Sequence, residues 1–288
     1  MKKISLFILA LFLLASCSKQ EIAETSQVEI KLLAGVNNLQ SKAAIDAWAN
    51  TPVSFAKGSA TATYLEAWNA TVASTGYVSF FPAMYYPTNK DTISAQIYLK
   101  GYTPQGKFNA GAVTFSDMNG TQDILLSNEQ TGSITDRFDQ ASKSFKFNHC
   151  LTQLNFTVVA DTYFPNETKL TSIIVNGTKL PISMNIASGA ITYATNATPI
   201  NSFTGTMTIS KTVSSKLGTV MVEPGKAITL TVIAGGVTYN NVAITMDSDT
   251  TPQAGTAYTV ALTFKLSDIV AKATIAPWKQ GAGSGTVI

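Results

Sequence analysis

One feature constrains this chain more than any other: short runs of alternating apolar and polar residues, each closed by turn residues, recur along almost its whole length. "VEIKLL" (28–33) sets Val28, Ile30 and Leu32 against Glu29 and Lys31. Similar runs follow at 77–81, 92–102, 111–116, 123–127, 144–160, 170–181, 189–194, 205–210, 218–224, 227–245, 257–266 and 272–278. Pro-Thr-Asn, Pro-Gln-Gly and Asn-Gly sequences separate several of them. A period of two places alternate side chains on opposite faces of a strand, whereas a helix needs a period near 3.6. Many short strands at this spacing argue for β-sandwiches. Abundant Thr, Val, Ile, Tyr and Asn supply the matching strand and turn chemistry. The one candidate for a short helix is "LEAWNATVAS" (65–74).

A length of 288 residues suits one large β domain or two smaller ones. The run "SFKFNHCLTQLNFTVVA" (144–160) changes phase part-way: Phe145, Phe147, His149 and Leu151 share one face, and Leu154, Phe156 and Val158 share the other. A strand cannot exchange faces without an extra residue, so a bulge or bend is expected near Thr152 and Gln153. The most polar internal stretch is "DRFDQASKS" (136–144). It divides the chain into an N-terminal sandwich over residues 27–142 and a C-terminal one over 143–288. Gly235 and Gly236, between two strand runs, predict a tight hairpin.

The N-terminus has a separate logic. Lys2 and Lys3 precede an apolar run from Ile4 to Ala15. That is too short for a spanning helix, which needs about 20 apolar residues. A basic start, a short apolar core and small residues describe an export signal over residues 1–16. Leu14, Ala15, Ser16 and Cys17 in that order resemble the bacterial lipobox. The resemblance implies cleavage between Ser16 and Cys17 and acylation of the Cys17 thiol. The competing reading is an ordinary export signal with an incidental cysteine. Residues 17–26 are polar and read as a tether. With Cys17 lipidated, Cys150 has no intramolecular partner, and no disulfide framework is expected.

Composition and motifs exclude several functions. Charged residues are 13% of the chain, against about 25% in typical globular proteins. Without Lys2 and Lys3 there are 18 basic and 17 acidic side chains, so nothing points to nucleic acid. The single histidine, His149, stands beside Cys150. Neighbours on a strand point to opposite faces, which works against a nucleophile–base pair. One His and one such Cys are too few for a zinc site. "GAGSG" (281–285) does not open a helix and so is no dinucleotide loop. Asp91, Glu167, Asp247 and Asp249 lie among turn residues with no spacing that marks a carboxylate pair. No cofactor, metal or catalytic centre is expected. The cluster "FFPAMYYP" (80–87) could form a platform for sugar rings or could be core and turn.

Five stretches together resemble the fimbrillin family, the type V pilus subunits and fimbrillin-like lipoproteins of Bacteroidetes. They are the lipobox, "LQSKAAIDAW" (39–48), "MYYPTNKDTISAQIYLKGYTP" (84–104), "FNHCLTQLNFTV" (147–158), and "VEPGKAITLTV" with "PQAGTAYTVALTF" and "ATIAPW" over 222–278. They stand in family order along the chain. The resemblance implies an all-β protein, two tandem transthyretin-like antiparallel β-sandwich domains after a lipoprotein signal peptide. It implies a lipid anchor in the outer membrane, a place at the cell surface, assembly with other pilus subunits and adhesion to a host or bacterial surface ligand.

The resemblance also implies a processing step. A trypsin-like protease cuts family members after a basic residue near the N-terminus. The cut frees the first strand, and a strand from a neighbouring subunit fills the groove. Here the matching bond is Lys42–Ala43, with lysine where members often carry arginine; the alternative is an ordinary exposed lysine. "VEIKLL" would be the completing strand, its removal leaving unpaired backbone groups and an apolar slot. The C-terminal stretch from about Ile269 to Ile288 would be either a donor strand or a closing strand of the second sandwich with a loose end. Two rivals remain: a lipid-anchored glycan-binding module using Tyr85, Tyr86, Trp68 and Tyr102, and a hydrolase whose acids meet only in the fold.

Overall fold

The structure, a computed structural model, describes residues 27–36, 48–89, 92, 94–214, 216–246, 251–266 and 268–276. Ser16, Cys17, Lys42, Ala43, Asp91, Asp247, Asp249, Trp278 and the 281–285 glycine stretch lie outside them. In chain order the strands are β1 (Leu32–Val36), β2 (Thr51–Ala60), β3 (Thr63–Val72), β4 (Tyr77–Phe80), β5 (Ile97–Thr103), β6 (Lys107–Asn109), β7 (Ala112–Thr114), β8 (Leu125–Gly132), β9 (Phe145–His149) and β10 (Thr152–Ala160). Then come β11 (Lys169–Asn176), β12 (Pro181–Asn185), β13 (Ile191–Tyr193), β14 (Ile200–Thr208), β15 (Gly218–Val222), β16 (Thr229–Ala234), β17 (Val237–Met246), β18 (Ala257–Phe264) and β19 (Ile269–Ile275). Among the described residues the helical structure is a 3₁₀ turn at Ala141–Lys143. The all-β reading holds.

The strands assort into three sheets. The first closes on itself in the order β1-β4-β3-β2-β5-β8-β9 and back to β1. Its interior packs Phe55, Phe145, Phe147, Phe138 and Trp48 with Ile30, Leu32 and Leu99. Phe55 meets Phe145 edge-to-face at 5.0 Å, and Trp48 meets Phe147 the same way at 5.2 Å. Such pairs contribute about 0.5–1.5 kcal/mol each beyond burial. The alternation of β9 explains its place, since Phe145, Phe147 and His149 all turn inward.

The second sheet has eight strands in the order β14-β11-β16-β17-β19-β18-β10-β15. Leu154, Phe156, Leu230, Val232, Val260 and Leu262 form the centre of its core. Its two edge strands approach each other closely: a Cβ on Gly218 of β15 would meet the carbonyl oxygen of Ser202 of β14 at 2.0 Å. Only glycine permits that approach. A smaller sheet, β13-β12-β7-β6, joins residues 107–114 to residues 181–193. A third core lies beside it, drawing Tyr102, Val113 and Ile124 from before β9, and Leu151, Met184 and Ile186 from after it.

Among the described residues three pairings are parallel: β1 with β9, β10 with β18, and β17 with β19. Alternation and turn spacing carry no signal for them, because parallel partners are joined by long connections rather than hairpins.

One local expectation is corrected and another is sharpened. The segment 65–74 is strand, not helix; β3 registers with β2 from Thr51↔Val72 to Ala60↔Thr63. Leu65, Glu66 and Ala67 favour a helix locally, but the pairing with β2 and the burial of Tyr64, Ala70 and Val72 decide the outcome. The run 144–160 is two strands, β9 and β10, broken at Cys150 and Leu151. Of the bulge or bend expected near Thr152 and Gln153, the structure has the bend, at Leu151, where the chain steps from the first sheet to the second. Phe147 faces the first core and Phe156 the second, which is why the apolar phase changes. The Gly235–Gly236 hairpin is present, with φ of 59° and 78° and Ala234 opposite Val237.

Candidate functional site: the slot of the first strand

The first strand region fills a slot between two neighbours. Residues 28–30 lie beside residues 84–86: the Ile30 amide donates to the Met84 carbonyl at 2.7 Å, and the Tyr86 amide donates to the Val28 carbonyl at 2.9 Å. Glu29 and Tyr85 form an antiparallel bridge. Leu32 and Leu33 then pair with Val78 and Tyr77 of β4. The Ala34 amide donates to the Gly76 carbonyl at 2.8 Å. From Ala34 to Val36 the chain runs parallel to β9, opposite Phe145, Lys146 and Phe147. The pairing thus extends further along the chain than the period-two pattern of "VEIKLL" alone indicates, and it begins with a bridge rather than a strand.

The side chains follow the expected alternation. Ile30 and Leu32 are each 1% exposed and Ala34 is 7% exposed. Glu29 and Lys31 are exposed. Gly76 adopts φ of +85°, and a Cβ there would stand 2.7 Å from the Ala34 carbonyl oxygen. Glycine is required on both counts.

The floor of the slot is aromatic. Tyr86 is buried, stacks on Phe138 at 6.2 Å and accepts a hydrogen bond from the Phe138 amide through its hydroxyl at 2.8 Å. Burial pushes the Tyr86 hydroxyl pKa up, which keeps it neutral. Trp48 is 5% exposed, and its Nε1 is buried without a hydrogen-bond partner among the described residues. The proposed sugar platform does not come together: Tyr86 and Tyr102 are buried, Trp68 is half-buried edge-to-face on Phe80, and Tyr85 is exposed. The Lys57 ammonium lies 5.5 Å from the Trp68 ring centre. The role of Tyr86 and Phe138 as floor was missed in the sequence. The inward phase of Val78, Phe80, Met84 and Tyr86, complementary to Val28, Ile30 and Leu32, was its available signal.

His149 Nδ1 and Asp123 Oδ2 are hydrogen-bonded in a buried site. Burial raises the Asp123 pKa, while the hydrogen bond and charge of His149 oppose that rise. Cys150 lies just past β9, and its Sγ is 3.7 Å from the Asn148 carbonyl oxygen. Burial pushes its thiol up to about 12, with the Asp123 charge adding to the effect. A thiol held neutral is a poor nucleophile and metal ligand. No group of three or more His, Cys, Asp or Glu side chains that could hold a metal occurs among the described residues. No helix among them is long and apolar enough to cross a membrane.

At the other end of the chain, β19 is held on both sides. It pairs antiparallel with β18 from Tyr258↔Ile275 to Phe264↔Ile269, and parallel with β17 from Ile244↔Ala271 to Met246↔Ala273. Ala271 and Ala273 are buried in the second core. The described part of the C-terminal stretch is therefore a closing strand.

The fold has solved relatives. A candidate cell adhesion protein from Bacteroides uniformis superposes with a TM-score of 0.61 at 17% identity, covering 88% of this chain and 99% of that one. A second, from Bacteroides ovatus, gives 0.58 at 15% identity with the same coverage of each chain. A third, from Bacteroides eggerthii, gives 0.54 at 12% identity, covering 90% of this chain and 98% of that one. At these identities the likeness speaks for the fold. No curated protein matches the sequence. The model of the fimbrillin-like family matches residues 33–278, and the chain belongs to that family.

Proposed function

We propose that the protein is a non-catalytic fimbrial or fimbria-like surface subunit that completes its first sheet with a strand of its own until processing replaces it. The observation that carries this reading is the slot: one short segment closes the first sheet, flanked by 76–86 on one side and β9 on the other. Taking it away leaves two rows of unpaired backbone groups above an aromatic floor. A strand supplied in trans satisfies both, by β-augmentation. Lys42 follows the segment and Trp48 precedes β2, so a cut at Lys42–Ala43 removes residues 27–36 and leaves the indole on the body.

In this reading residues 1–16 direct export, Cys17 carries the lipid, and residues 17–26 tether the body to the outer membrane. The partners are other pilus subunits, and the role is adhesion at the cell surface; the fimbrillin-like family and the adhesion names of the solved relatives support it. In this reading the two units meet at Cys150 and Leu151 rather than at the 142/143 division expected from polarity, supported by β9 pairing in the first sheet and β10 in the second. The lock of β19 between β17 and β18 favours a subunit that accepts a strand over one that donates its last described strand.

The test is the N-terminal residue of protein recovered from the cell surface. Ala43 in polymer-borne protein is the expected result, with lipidated Cys17 in unprocessed protein. Protein that stays strictly monomeric after cleavage at Lys42, with or without related subunits present, overturns the assembly role.

A further inference from the structure

The slot is occupied in this structure, so its present occupant shows what it takes. Inward positions at Ile30, Leu32 and Ala34 read large, large, small. Ile30 and Leu32 drop into the closed sheet's core with Tyr86, Phe138 and Phe145. The smaller residue falls where β9 presents Phe145 and Phe147 and where Trp48 packs on Phe147. The aromatic rings already fill that end, and a large side chain there overpacks it. Outward positions carry Glu29 and Lys31, which are exposed.

Direction is fixed as well. The occupant runs antiparallel to β4 and parallel to β9. Parallel and antiparallel ladders space their hydrogen bonds differently. A strand entering the other way would meet the amide of Tyr86 and the carbonyls of Met84 and Gly76 in the wrong register.

We propose that the slot selects its partner by this pattern: it takes a strand of another polypeptide, running parallel to β9, with large apolar residues at the places of Ile30 and Leu32 and a small one at the place of Ala34. This rests on the proposed strand exchange and adds to it the chemistry of the incoming strand. The chain's own β19 does not fit. Its inward residues read Ile269, Ala271 and Ala273, large, small, small, so it never sets two large side chains at successive inward places followed by a small one. A second copy therefore does not complete the groove with β19.

The test uses the full-length protein cleaved between Lys42 and Ala43, with labelled synthetic peptides offered for exchange into the slot. A peptide of residues 27–36 is expected to exchange in. Glu29→Lys with Lys31→Glu in that peptide should leave exchange within about threefold, as outward positions do. Ile30→Asp with Leu32→Asp should weaken it by about a hundredfold or more, because two charges enter an apolar core. Ala34→Phe should weaken it by about tenfold. The same residues in reversed order, and a peptide of residues 269–275, should fail to exchange. If the reversed, doubly charged or 269–275 peptide enters as well as the 27–36 peptide, the pattern is wrong while strand exchange stands. If the 27–36 peptide itself never exchanges into the cleaved protein, the proposed strand exchange fails, and the selection rule with it.

Discussion

Two strands near the two ends of the chain, β1 and β19, are both inserted between neighbours, and both have one parallel partner. They are held very differently. β1 registers with β4 only over Leu32 and Leu33, and with β9 only from Ala34 to Val36, so its two neighbours overlap only at Ala34, whose amide also bonds Gly76. β19 registers with β18 along its whole length and with β17 at Ala271 to Ala273, so its centre is bonded on both sides at once. The first arrangement lets one short segment leave while the other strands of its sheet keep their partners. Removing β19 would split the second sheet in two. A strand that can be exchanged is thus distinguished from one that cannot by its ladder rather than by its apolarity.

Substitutions can break or sharpen this contrast. The largest effect is expected in β19. Ala273→Asp places an unpaired charge at a fully buried site, costing more than about 4 kcal/mol; circular dichroism should show loss of the β signal or a steep fall in Tm. Leu32→Ala empties a position in the slot and should cost about 2–5 kcal/mol, read in urea unfolding. Its damage should concentrate in opening of β1, leaving exchange of the β16 and β18 amides unchanged. Equal loss of protection in both sheets would erase the contrast. Trp48→Phe keeps the edge-to-face contact with Phe147 and removes a buried N–H that has no partner among the described residues. It should cost less than about 1.5 kcal/mol, whereas Trp48→Ala should cost about 3–5 kcal/mol. Glu29→Lys, on the exposed side of the same segment, should stay within about 0.5 kcal/mol.

The sequence made the strands and the inward phase of the slot legible. Val28, Ile30 and Leu32 alternate against charged residues, and burial of such a face is what period-two patterning specifies. The phase change in 144–160 was equally legible, but its meaning was not. A bulge and a step between sheets leave the same local pattern, and only the partners of β9 and β10 tell them apart. Strand partners are set by contacts far apart in the chain, so the three parallel pairings and the small sheet joining β7 to β12 had no local signature. Leu65, Glu66 and Ala67 point locally to helix, and pairing with β2 overrides them. The aromatic cluster misled for a related reason. Tyr85 and Tyr86 are adjacent, so a strand sends one outward and the other into the floor.

Hydrogen exchange on the intact, uncleaved protein tests the central claim most directly. If β1 is an exchangeable occupant, the amides of Ile30, Ala34 and Tyr86 should exchange through a local opening, at a free energy well below that of Ala271, Ala273 and Val260. Equal protection at the two sets, both tracking global unfolding, would contradict it.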